Sequence, residues 1–566
     1  MDYKFRYCHK CMQNSVTDLV SPLLVLHQGN AVGLPYTYSQ SCSSLPFCRG
    51  VEFNASLPFF PGHLYSSSLL SKIHKNTMTT AKGKQPSFVT IFAIWNTMMG
   101  TSILSIPWAI MQAGLTFGVI LIFFMGFITM YSCYRILQSP RTLEGGSDLD
   151  FPDVCGRYFG RTGRWICLFF SMMVLGGALI VYWVLMANFL YNTGAFIYDK
   201  VNSINVTSPW PGHNTSLHVL CQNPPAELSQ WTNGHFLNGA SANVNASNSK
   251  QDKTGKSRDG TSRMGEVLPV DTDLLSPGTT EGTMFDLWWH KQRTVPLYLV
   301  LIVLPLLNFK SAQFFARFNN LGTLSVAYLI ILVTIKAARW GINLEYHWIE
   351  CDNPFFVPEF RSFFPAMTGI LTLAFFIHNC SITLFKNNRN QHNNVRDLMI
   401  AYILVGSTYL YVGCLVFASF PVNPFSKSCI EQNFLDNFPA DDVSTFIARV
   451  CLLFQLMTVY PLLAFFIRVQ LFTQLFGKSY PSFLHVLVLN IILVSTGVIM
   501  ASFYPNIGTI IRYSGAICGL AFVFIFPCLI HLIHQRRHGR LTVSSVIFHG
   551  LFMLFGLANL FSQFFI

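Results

Sequence analysis

A run of small and polar residues, Asn96-Thr97-Met98-Met99-Gly100-Thr101-Ser102, interrupts a long apolar segment at 88–114. Hydrocarbon offers no partner to a backbone N–H or C=O, so each must be satisfied internally. A polar, glycine-containing stretch at mid-depth therefore predicts a discontinuous helix whose freed groups face a cavity. Such groups suit an amino acid. Its α-carboxylate wants N–H groups at a half-helix N-terminus, where the dipole is positive, and Gly100, Thr101 and Ser102 can supply them. Its α-ammonium wants unbonded carbonyls, expected from an unwound Thr97 and Met98. A sodium ion wants hard oxygen donors, and Asn96 and Thr458 are the natural candidates. The competing reading is a seam of small residues cementing two packed helices.

Two more polar groups stand inside apolar runs. One is His378-Asn379 with Ser381 and Thr383. The other is Gln455 with Thr458, Tyr460 and Pro461. A buried histidine commonly serves packing, although its pKa class allows titration in an acidic organelle. Enzyme chemistry lacks its parts: the runs hold no paired carboxylate, no nucleophile elbow and no phosphate-cradling glycine loop. A channel should show rings of charge or a carbonyl filter, and neither is evident. Near the start, Cys8-His9-Lys10-Cys11 has half the ligands of a zinc site and no second pair at metal spacing, so it reads as a chance match.

The elements that must position these residues are membrane helices. The chain has 566 residues, 52% hydrophobic and only 11% charged, against about 25% charged in soluble domains. Apolar runs can be counted at about 88–113, 116–137, 164–197, 294–314, 320–340, 366–385, 397–419, 443–468, 482–503, 508–533 and 543–565. Each is long enough to cross about 30 Å of hydrocarbon. This predicts an all-α polytopic membrane protein with eleven spans, the run at 164–197 tilting or continuing beyond the bilayer. The first and sixth runs are five apart. In a five-plus-five inverted repeat they are equivalent first helices, and both should be broken near the midplane.

The net charge of +12 lies largely in short loops, which argues against nucleic acid. One side collects Arg135, Arg141, Arg157, Arg161, Arg164, Lys310, Arg317, Lys386, Arg389, Arg396, Arg468, Lys478, Arg536, Arg537 and Arg540. The other side's short loops hold only Arg339, Arg361 and Lys427 among several acidic residues. That asymmetry predicts a cytosolic N-terminus and a C-terminus on the opposite face. Residues 1–85 are then a cytosolic, largely disordered region without a signal-peptide core, and 86–566 the transporter domain. The connection at 198–293 falls on the lumenal or extracellular side, disordered in its middle. Its sequons predict glycosylation at Asn205, Asn214 and Asn245. Cys221 and Cys429 both lie in loops on that side and can pair, with Cys351 as the competing partner.

The string Trp95-Asn96-Thr97-Met98-Met99-Gly100-Thr101-Ser102-Ile103-Leu104-Ser105-Ile106-Pro107-Trp108 resembles the first-helix signature of the sodium-coupled neutral amino acid transporters, solute carrier family 38. Further resemblance comes from Ile180-Val181-Tyr182-Trp183-Val184-Leu185-Met186, from Leu373-Ala374-Phe375-Phe376-Ile377-His378-Asn379-Cys380, from Thr458-Val459-Tyr460-Pro461 and from Phe503-Tyr504-Pro505-Asn506-Ile507-Gly508. It is similar above all to the lysosomal, arginine-sensing branch. The resemblance implies an amino acid–polyamine–organocation fold, an inverted repeat of ten helices plus one. It implies a sodium ion held by Trp95, Asn96, Met98 and Thr458, and substrate at Thr97, Met98, Met99, Gly100, Thr101, Ser102, His378, Asn379 and Tyr460. It implies a Cys221–Cys429 disulfide. The biology implied is movement of leucine and glutamine across lysosomal and late endosomal membranes, with arginine as substrate or regulator. It also implies signalling through Rag GTPases and Ragulator to the rapamycin-target kinase complex. Residues 1–80 depart from the branch. Tyr36-Thr37-Tyr38-Ser39 and Leu64-Tyr65-Ser66 are too short to carry its Rag-binding segment. A low-turnover amino acid sensor and a plasma-membrane transporter are the alternatives, since both share every membrane residue.

Overall fold

The computed structural model describes residues 85–143, 149–202, 219–221, 284–309, 322–349, 353–386, 388–422 and 426–566, all within the larger of two compact units, Tyr65–Ile566. Residues 1–84, the three sequons, the middle of the long loop and Cys351 lie outside them.

The described residues are helical, with no named strand and one isolated bridge, Gln85 with Asn388. In chain order the principal helices are α1 (Ser87–Met99), α2 (Ile106–Ala113), α3 (Leu115–Gln138), α4 (Phe151–Val201), α5 (Val295–Leu307), α6 (Gly322–Trp340), α7 (Phe364–Ala374) and α8 (Ser381–Lys386). There follow α9 (Asn394–Ser419), α10 (Val443–Phe476), α11 (Phe483–Phe503), α12 (Ile507–Gly519), α13 (Phe526–Arg537) and α14 (Val543–Ser562). A π-turn at Leu520–Ile525 joins α12 to α13.

Five helices carry proline in the first turn, among them α2, α4 and α7. Proline's fixed φ suits that turn, and its missing N–H is one the helix would leave unbonded anyway. Where no proline starts a helix, a hydroxyl can serve. Ser482 Oγ accepts from His485 N before α11, and Thr542 Oγ1 accepts from Ser545 N before α14.

Among the described residues, eight continuous helical stretches are long and apolar enough to cross a membrane, and three shorter apolar helices, α1, α5 and α7, supplement them. Every one of the eleven apolar runs thus contains helix. The chain is an all-α polytopic membrane protein. Large apolar side chains such as Phe123, Phe127, Leu301, Ile403 and Leu551 point outward, as a lipid-facing surface requires. The core helices are α1, α4, α7, α9, α10 and α12, which pack on one another, while α14 is the least buried of the long helices.

One expected boundary is corrected. Arg157, Arg161 and Arg164 belong to α4 rather than to a loop before it. Pro152 opens that helix ahead of them, and Gly160, at φ 72° and ψ −164°, kinks it, a backbone state that glycine alone enters cheaply. Across the kink Arg164 reaches Asp153 at 3.0 Å.

Two long-range ties fix the loops of one face. Cys221 and Cys429 form a disulfide, 208 residues apart in sequence. Beside it Leu220 N donates to Asn437 O at 2.7 Å, and Asn437 Nδ2 donates to Leu220 O at 3.0 Å. The end of α2 is clasped by the segment before α7: Arg361 N donates to Ala113 O at 3.0 Å, and Thr116 N donates to Glu359 Oε2 at 2.8 Å.

Candidate substrate site

The first apolar run is broken, but later than the residues suggested. Helix α1 continues through Met99, and the chain turns at Gly100, φ 29° and ψ −146°. A short 3-10 turn at Ser102–Leu104 follows, and α2 begins at Ile106. Thr97 is therefore helical rather than unwound, its hydroxyl bonded back to Ala93 O at 2.7 Å. Threonine can satisfy itself this way inside a helix, so polarity alone does not unwind the chain there. The conformation at Gly100 does.

The sixth run is broken as well. Helix α7 ends at Ala374, residues 375–380 are non-helical, and α8 starts at Ser381. One residue joins the two breaks. The hydroxyl of Tyr409, on α9, lies 2.7 Å from Met98 O and 2.9 Å from Ala374 O. Two turns earlier on the same face, the Tyr402 hydroxyl is 3.0 Å from Phe375 O. The Met98 and Ala374 carbonyls sit in the last turns of α1 and α7, where intrahelical partners run out.

A cavity of about 10 Å³ lies against the first break, room for roughly one water molecule. Gly100, Thr101 and Leu104 form one wall. Tyr182 and Phe189, two turns apart on α4, form a second. Leu452, Gln455, Leu456 and Val459, one face of α10, close it. The Oε1 of Gln455 is buried and makes no hydrogen bond among the described residues.

The expected residues divide around this cavity. Gly100 and Thr101 line it. Ser102 is buried in the 3-10 turn just beyond, and Met98 and Met99 are buried in the last turn of α1. Trp95 turns away and donates from Nε1 to Thr408 Oγ1 at 3.2 Å. Asn96 faces the start of α6: a Cβ at Gly322 would sit 3.2 Å from its Oδ1 and 2.7 Å from Gln455 Nε2. Thr458 is buried one turn past Gln455 and donates to its carbonyl at 2.7 Å, leaving its oxygen lone pairs available.

Three residues stand apart from the lining. His378 is fully buried in the second break, with Nε2 2.7 Å from Ser132 Oγ on α3. Asn379 is its half-buried neighbour in the same turn. Tyr460 is fully buried with its ring edge-on to Trp183, centroids 5.4 Å apart. Helical period explains the last case, because Val459 points into the cavity and a residue one step on is rotated by about 100°. Tyr182 and Tyr409 carry no site role in the sequence reading. Their signal is a tyrosine placed mid-run in an apolar helix, and it was legible in both.

The comparisons with known proteins bear on this geometry. The pattern described as "Transmembrane amino acid transporter protein" matches residues 86–219 and 278–564. The chain belongs to this family. A Danio rerio protein named "Neutral amino acid transporter 9" is 54% identical over 484 residues, covering 85% of this chain and 81% of that protein. A Xenopus tropicalis protein of the same name is 53% identical over 509 residues, covering 89% and 84%. A Caenorhabditis elegans protein named "Sodium-coupled neutral amino acid transporter 9 homolog" is 40% identical over 516 residues, covering 89% and 77%. The chain is a multi-pass membrane transporter of amino acids and not an enzyme.

Proposed function

We propose that this transporter carries large neutral amino acids such as leucine and glutamine, linked to sodium, with arginine as substrate or regulator. The observation that carries the reading is the turn at Gly100, which sets Gly100, Thr101 and Leu104 of the break against a small cavity between the helices. Substrate carboxylate is assigned to the N–H groups at 100–102, where half-helix dipoles favour negative charge. The α-ammonium is assigned to carbonyls at the end of α1, of which Met98 O is held by Tyr409.

Sodium is read as a co-transported ion. Oxygens of Asn96 and Thr458 and the main-chain carbonyls of Trp95 and Met98 make an oxygen-only donor set, which suits a hard cation. The sodium-coupled name of the Caenorhabditis elegans relative supports the same reading. The cavity is far too small for an amino acid, so binding requires the break to open, as alternating access demands.

The eleven-span topology rests on the apolar runs, and the cytosolic N-terminus and lumenal C-terminus rest on the loop charges. Lysosomal and late endosomal placement, and signalling through Rag GTPases and Ragulator, rest on the resemblance of the membrane core. The test is uptake of labelled leucine, glutamine and arginine into proteoliposomes, with and without a sodium gradient and with and without residues 1–85. Sodium-stimulated leucine uptake supports the reading. Uptake indifferent to sodium removes the coupling, and absent uptake with retained binding favours a sensor.

A further inference from the structure

Gln455 is buried, 8% exposed, and its side-chain oxygen has no hydrogen-bond partner among the described residues. Folded proteins seldom leave such an oxygen unpaired, and a ligand or water is a common reason when they do. The neighbours on its face of α10, Leu452, Leu456 and Val459, are apolar. An apolar residue at 455 would remove the unpaired oxygen at little cost to packing. The amide lies close to the start of α6: a side chain at Gly322 would meet Gln455 Nε2 at 2.7 Å, and the flexible amide would have to shift. Gln455 lines a cavity whose far wall is the break at Gly100 and Thr101. Few polar groups in an apolar lining is the pattern of a small-molecule site. The oxygens assigned above to sodium come from Trp95, Asn96, Met98 and Thr458, none of which lines this cavity; its lining offers one amide side chain with the hydroxyls of Thr101 and Tyr182.

We propose that Gln455 is a substrate-binding residue whose Oε1 accepts a hydrogen bond from the α-ammonium of the transported amino acid once the break opens. The assignment rests on the transport reading above and adds a residue to it. An amide oxygen suits a cationic N–H donor, since charge-assisted hydrogen bonds are the stronger kind.

The test uses the full chain in proteoliposomes with labelled leucine, and the detergent-solubilised protein for melting. Gln455→Met keeps length and removes the acceptor. Its leucine KM is expected to rise about tenfold, as loss of one charged-group hydrogen bond implies. Half-saturating sodium should move less than about twofold, and the ligand-free melting temperature should not fall. Gln455→Glu restores an acceptor oxygen, and its KM should return to within about threefold of wild type. Four outcomes overturn the proposal: an unchanged KM in Gln455→Met, which makes the cavity a water site; a shift in sodium dependence at constant KM, which makes Gln455 an ion ligand; no recovery in Gln455→Glu; or loss of folding in both Gln455→Met and Gln455→Leu. If the wild type takes up no leucine, the transport reading fails, and leucine-induced stabilisation of wild type against Gln455→Met then decides the binding assignment alone.

Discussion

At the residue scale, Gly100 decides where the first helix stops. A Cβ there would have room, its nearest neighbours being Tyr182 Oη at 3.7 Å and Met98 O at 3.8 Å. The obstacle is φ of 29°, a strained backbone for any L side chain. Gly100→Ala should cost about 1–3 kcal/mol of stability or force the break to shift, lowering uptake while the protein still elutes as one species. An unchanged uptake rate would show that the turn is not needed in transport. Thr458 tests the ion. Thr458→Ala should raise half-saturating sodium more than it raises leucine KM, because it removes one hard oxygen and leaves the cavity lining intact. Equal sodium dependence in wild type and variant would place the ion elsewhere. The residue types at 96–102 announced a break and a polar wall. They did not show that Thr97 stays helical, since a hydroxyl can bond within its own helix. Nor could they show which face of α10 looks inward. That depends on rotation about the helix axis, and it is why Val459 rather than Tyr460 meets the cavity.

At the element scale, both broken helices lean on α9. Tyr409 supplies a hydroxyl within reach of two helix-end carbonyls, one from each break. Tyr409→Phe strips that donor from a fully buried place. It should destabilise by about 1–3 kcal/mol, read as a lower melting temperature, and should also alter leucine KM because both breaks relax. A change in melting without any change in KM would confine Tyr409 to structure. Gly114 is the other pivot, between α2 and α3. At φ 88° an added Cβ would lie 2.1 Å from the carbonyl oxygen of Glu359. Backbone cannot retreat as a side chain can, so Gly114→Ala should cost about 3 kcal/mol or more and loosen the clasp made by Glu359 and Arg361. A melting temperature equal to wild type would refute this. Apolar run length made these helices legible. Their short loops were not, because a clasp such as Arg361 on Ala113 joins distant stretches by main-chain groups that every residue shares.

For the whole molecule, the loop between α9 and α10 carries a lysine under unusual constraint. Lys427 is 1% exposed, donates from Nζ to Phe417 O at 2.6 Å and sits over the Phe417 ring. Burial lowers its pKa from the ordinary 10.5 to about 7, with the nearby Glu359 carboxylate opposing the shift. The unfolded chain thus holds this proton over a pH range where the folded chain has released it. Stability supplied through Lys427 is unchanging below about pH 7. It rises from there toward 10.5, by up to about 1.4 kcal/mol per pH unit. Wild type should therefore gain melting temperature over Lys427→Met between pH 7 and 9, and the gap should be flat between pH 5 and 6. A gap that shrinks with rising pH would contradict the shift.

The Cys221–Cys429 bond has a consequence for a chain that has been cut. Any single proteolytic nick between 222 and 428 falls inside the covalent ring that the two cysteines close. Both pieces then stay joined. The amino-terminal piece keeps α1 to α4, the other keeps α10 to α14, and α4 remains packed on α10. A nicked molecule should therefore run as one band on a non-reducing denaturing gel and as two after reduction. The bond acts as insurance for the longest connection in the protein, letting that segment be trimmed without taking the transporter apart.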